Sequence, residues 1–149
     1  MKTKFLAAGM AAAFLMAPAA SMAAGTHTLN VSATVNGTCS FDLPSSPMAF
    51  GAIDPAGVTP ATATATVDFH CSNGQAYTVT LSGGGSYTLT SGLNSLPYTA
   101  SITGGASGTG TGMAGAASSV TVGATIAVTD FANANAGAYT GTLTLNVAP

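Results

Sequence analysis

The residues able to do chemistry are few. The 149-residue chain carries two imidazoles, His27 and His70, and two thiols, Cys39 and Cys71. Its side-chain carboxylates are Asp42, Asp54, Asp68 and Asp130, and it has no Glu, Arg or Trp. General acid–base catalysis needs such groups paired within hydrogen-bond reach of a substrate. Here they are scattered along the chain. Ser118 and Ser119 lack the strand-to-helix elbow that presents a nucleophile. Gly110-Thr111-Gly112-Met113-Ala114-Gly115 matches the dinucleotide fingerprint literally. No helical pattern follows it and no acidic residue lies about 20 positions on. Asn30-Val31-Ser32 and Asn36-Gly37-Thr38 match the glycosylation sequon, a cheap match in a Thr- and Ser-rich chain. The chain is therefore read as non-enzymatic, with no cofactor.

Only 4% of the residues are charged, and both lysines, Lys2 and Lys4, precede an apolar run. Residues 1–23 read as a secretory signal peptide. Lys2 and Lys4 form its basic region, Phe5 to Ala17 its apolar core, and Ser21-Met22-Ala23 its cleavage site. The run is short for a membrane span and is broken by Pro18. Cleavage there leaves 126 residues beginning at Ala24, with four Asp and no permanent cation. Such a chain cannot neutralise phosphates, which excludes nucleic-acid binding. No later segment reaches the ~20 apolar residues of a spanning helix, so no membrane span is expected in the mature chain.

An exported chain meets an oxidising compartment, and Cys39 and Cys71 are its only thiols. A disulfide between them is the leading reading. The rival is a metal site built from Cys39, Cys71, His70 and His27. His70 and Cys71 are adjacent on a strand pattern and point to opposite faces, which argues against shared ligation. His27 reads as a half-buried strand residue and His70 as an exposed one.

The elements that position these residues are strands. Residues 26–35 alternate, with His27, Leu29, Val31, Ala33 and Val35 on one face and Thr, Asn and Ser on the other. Asn36-Gly37 then signals a turn. Further strands are expected over Thr38–Leu43, Ala61–Cys71, Tyr77–Leu81, Tyr87–Leu89, Leu96–Thr103, Ser119–Val128 and Ala138–Val147. Residues 104–118 read as a loop without a core face. About seven short strands, regular turns and one disulfide predict an all-β, Ig-like sandwich. Residues 26–35 leave two alternatives open. They form the first strand of their own sandwich, or they add to an exposed sheet edge of a neighbouring molecule.

Thr28 to Val35 ahead of Cys39 resembles the start of the spore coat protein U domain family, which includes subunits of archaic chaperone–usher pili. Met48-Ala49-Phe50-Gly51, Val67-Asp68-Phe69-His70-Cys71, Tyr77 to Gly83 and Leu96-Pro97-Tyr98 are similar to further family motifs. So are Val122 to Ile126 and Ala136 to Leu145. The resemblance implies an incomplete Ig-like fold lacking its last strand and completed by donor-strand exchange. Residues 24–36 would be the donor segment and residues 37–149 the pilin domain. His27, Leu29, Val31, Ala33 and Val35 would be the donor residues, and Cys39–Cys71 the family disulfide. Leu143, Leu145 and Val147 would line the acceptor groove and meet the chaperone. The implied partners are further copies of the chain, a periplasmic chaperone and an outer-membrane usher, with the fibre outside the cell. The chain departs from the family where Thr140-Gly141 replaces the Asp common after the closing-strand Tyr, and in ending Val147-Ala148-Pro149 instead of on an aromatic. The alternatives are a secreted spore-coat or matrix protein assembled without an usher, and a carbohydrate-binding adhesin. The adhesin would need exposed aromatics among Tyr77, Tyr87, Tyr98 and Tyr139. The low charge itself favours assembly, because lone sandwiches guard their edges with Lys and this one has none to place there.

Overall fold

The computed structural model describes residues 25–149. The expected signal peptide, residues 1–23, lies outside the described residues. The chain divides into two units at Thr34/Val35. Residues 25–34 have no regular secondary structure and are exposed. The alternating pattern of 26–35 is thus not a strand of this chain's own sheets. A period of two records a capacity to pair, and among the described residues no strand pairs with this segment.

The domain that follows is built from eight strands and one helical turn. In chain order these are β1 (Cys39–Phe41), β2 (Ala61–Cys71), β3 (Ala76–Leu81), β4 (Ser86–Ser91) and β5 (Asn94–Gly104). Then come β6 (Ser107–Thr109), β7 (Ser118–Ile126), α1 (Val128–Phe131) and β8 (Leu145–Ala148). One sheet runs β1-β2-β7-β5-β4 and the other β6-β3-β8, with every pair antiparallel. The fold is the all-β, Ig-like sandwich read from the sequence.

Alternation places the core. β2 turns Ala63, Ala65, Val67, Phe69 and Cys71 inward and its threonines outward. β7 does the same with Val120, Val122, Ala124 and Ile126, all buried. Two clusters result. One joins Leu96, Tyr98, Val122, Ile126 and Phe131; the other joins Phe69, Tyr77, Val79 and Val120. Phe69 meets Tyr77 edge-on, with ring centroids 4.9 Å apart, which ties the two sheets together. The Cys39–Cys71 disulfide joins directly opposed residues of β1 and β2. It consumes both thiols and removes the rival metal reading.

Four local expectations are corrected. The region read as a loop over 104–118 contains β6, whose side chains are all exposed. It pairs with β3 through its backbone alone, so no alternation could reveal it. The strand expected to run to Val128 stops at Ile126, and α1 follows. The closing strand expected over 138–147 is regular only in β8; ahead of it a single bridge joins Thr140 to Thr90. His70, read as exposed, is half-buried and hydrogen-bonded. Tyr139 has a role that sequence reasoning missed. Its hydroxyl donates to the Asn135 carbonyl at 2.9 Å, a bond back to the upstream backbone like the tyrosine corner of Ig-like folds.

Candidate functional site

The domain is open along one side. A groove of about 1060 Å³ runs between the segment Phe41–Pro55 and the segment Ala134–Leu145. Its floor is the inner face of the larger sheet: Ala65 and Val67 of β2, Val122 of β7, Leu96 and Tyr98 of β5 and Leu89 of β4. Ala63 and Phe69, at either end of that stretch of β2, are buried, while Ala65 and Val67 between them are only half-buried. The inner face of β2 is therefore covered at its ends and uncovered in the middle. Met48, Phe50 and Ile53 on one wall, and Tyr139, Leu143 and Leu145 on the other, are half-buried in the same way.

The missing cover follows from topology. β8 is an edge of its sheet, paired only with β3. Its other edge carries no strand among the described residues. Across the groove, residues 42–55 form no strand; Pro44, Pro47 and Pro55 withhold the N–H donors a sheet would need. An apolar floor thus lies beside one unpaired strand edge, which enters the groove lining at Leu145.

Its lining includes no Asp, His or Cys. Burial pushes the Tyr98 phenol above its ordinary range, and the neighbouring Tyr87 adds to this. A surface of this kind has no acid–base pair to work with. It can take up apolar side chains at alternate positions and hydrogen-bond an extended backbone. Among the described residues, no cluster of three or more His, Cys or Asp side chains could hold a metal ion.

The sequence-derived site residues fall as follows. Leu143 and Leu145 line the groove. Val147 lies outside that lining, opposite Val79 and packed against the cluster of Phe69 and Tyr77. His27, Leu29, Val31, Ala33 and Val35 are all exposed, with Leu29 at 77%, Val31 at 90% and Val35 at 89%. Met48, Phe50, Ile53, Ala65 and Val67 were not singled out as groove residues. The apolar run Met48-Ala49-Phe50 beside three prolines was the available signal. Of the four tyrosines considered for glycan binding, Tyr77 and Tyr98 are buried and Tyr87 and Tyr139 half-buried. That leaves no exposed aromatic platform of tyrosines.

Among the described residues, no helix is long and apolar enough to cross a membrane. No match was found among curated proteins. Residues 25–146 match the family model of the Spore Coat Protein U domain, nearly the whole described chain and both motif-bearing ends of the sandwich. The chain belongs to the Spore Coat Protein U domain family, a family of extracellular structural surface domains.

Proposed function

We propose that the protein is a structural subunit of an extracellular fibre, in which residues 26–35 of one copy fill the groove of the next. The observation that carries this reading is a matched pair of deficits. The groove has an apolar floor and meets the unpaired β8 edge at Leu145. The N-terminal segment has an apolar face at every second residue and no strand partner of its own. β-strand addition supplies what each lacks, backbone hydrogen bonds from the edge and pockets for alternate side chains.

Ten extended residues span about 33 Å. Burying Leu29, Val31 and Val35 from their exposed state contributes roughly 1.5–3 kcal/mol each. Before assembly the same groove would be covered by a periplasmic chaperone, and export would run through an outer-membrane usher.

Deleting residues 24–35 tests this. The domain from residue 36 onward should still fold with its disulfide, and no polymer should form. Normal fibres from the deletion would refute the reading. The second reading is a coat or matrix protein assembled without an usher, favoured by the family's association with spore coats. A chaperone and an usher encoded beside the chain support the first reading, and their absence supports the second.

A further inference from the structure

A second feature lies on the outer face of the larger sheet, beside the disulfide. His70 stands on β2 next to Cys71, and both of its ring nitrogens meet oxygen acceptors. Nδ1 is 2.7 Å from Asp42 Oδ1, and Nε2 is 3.2 Å from the Gly115 carbonyl oxygen. A neutral imidazole carries one N–H and one lone pair, so it can satisfy only one of these contacts. The imidazolium donates to both. The ring therefore links β2 to the β1 exit at Asp42, whose N–H also donates to the Asp68 carbonyl at 3.1 Å, and to the β6–β7 connection at Gly115. Asp42 is the exit of β1 and directly precedes Leu43 on the groove wall. Gly115 belongs to the Gly-rich connection between β6 and β7.

That connection is otherwise held near its start. Gly110 is buried, and a Cβ there would collide with the Cys71 and Ser72 carbonyls. Gly112 N–H donates to the Cys71 carbonyl at 3.0 Å, and Gly115 N–H to Gly112 at 3.0 Å. From there to β7 the His70 contact is its tie to β2.

We infer that His70 is a proton-operated clasp, closed as imidazolium, that fastens the 112–117 connection and the root of the 42–55 groove wall to the disulfide-linked strand pair. The charged groups facing it are few. Asp42 comes from the β1 exit, and Asp68 lies two residues back on the same face of β2. The 110–117 connection contributes no titratable side chain, and β7 begins with the hydroxyls of Ser118 and Ser119. Both charges favour the imidazolium. The His70 pKa is raised from 6.5, first by the Asp42 hydrogen bond; desolvation opposes this, and the Asp42 charge, the Gly115 carbonyl and the Asp68 charge add to the rise. A raised folded-state pKa gives stabilisation that is complete below the unfolded value and is lost as pH rises through the folded value. The clasp thus closes on acidification and opens as pH rises through the raised His70 pKa. It operates within one domain and does not rest on the fibre reading.

The test is imidazole and amide NMR on the isotopically labelled chain, with His27→Asn to leave His70 as the only histidine. His70 should titrate above 6.5. Gly112 and Gly115 amides should show several-fold higher protection factors at pH 5.5 than at pH 8. Asp42→Asn should lower the His70 pKa and remove the difference between the two pH values. A His70 pKa at or below 6.5, equal protection at both pH values, or an unchanged pH dependence in Asp42→Asn would each overturn the inference. His70→Gln is the second variant: its protection should match the alkaline wild type at both pH values, and acid-enhanced protection in it would equally overturn the clasp.

Discussion

Val31→Ala separates the two units of the chain most cleanly. Val31 is 90% exposed and lies in a segment with no strand pairing, so truncating it should leave the domain's own stability unchanged. In the proposed assembly the same side chain sits in the groove of the next copy. The substitution then removes two buried carbons, worth about 0.8 kcal/mol each, or roughly 1.6 kcal/mol before any cavity cost. That corresponds to a loss of affinity of about 15-fold. The assay is calorimetric titration of the domain comprising residues 37–149 with a synthetic peptide of residues 24–36, in wild-type and Val31→Ala forms. Thermal unfolding of the full chain in both forms, at a dilution where it is monomeric, is the control. The expected result is an unchanged Tm with about 15-fold weaker peptide capture. Substitution of Thr34, on the opposite face, should change capture by less than about twofold, since an exposed position contributes little. Equal affinities for the wild-type and Val31→Ala peptides would refute the reasoning.

Three other outcomes are expected. Cys39→Ser with Cys71→Ser should lower stability by about 3–4 kcal/mol, the chain-entropy value for a loop of this size, read as a drop in Tm of more than about 10 °C. Ala65→Trp should fill the groove floor at a half-buried position, leaving the far-UV spectrum β-rich while abolishing peptide capture. Tyr139→Phe should remove the hydroxyl bond to Asn135 and cost about 1 kcal/mol in denaturant unfolding, with the fold retained.

What could be read from the sequence follows from where packing leaves a mark on residue type. β2, β3, β5 and β7 bury one face, so Ala63 to Cys71 and Val120 to Ile126 alternate visibly and their positions were legible. β6 uses only backbone bonds and exposes Ser107, Gly108 and Thr109, so nothing in its side chains could announce it. α1 spans four residues, too few for a 3.6-residue period to appear. Residues 26–35 show the opposite case: a clear period of two without a strand in this chain, because alternation records a capacity to pair and not the partner. The groove was legible only through Leu143 and Leu145. Its floor at Ala65 and Val67 is indistinguishable in sequence from the buried positions on either side, since no strand among the described residues covers them. The His70 clasp joins residues 28 and 45 positions apart, a juxtaposition that only the β1–β2 pairing and the returning Gly-rich connection create.

The central claim is that the chain's own N-terminal segment completes its neighbour. A fibre reconstruction by cryo-electron microscopy, from surface material of the producing cell, tests it most directly. Residues 26–35 of each subunit should lie along the free edge of β8 in the next, with Leu29, Val31 and Val35 over the floor formed by Ala65, Val67 and Val122. Fibres whose subunits meet through another face, with residues 26–35 outside any groove, would contradict it.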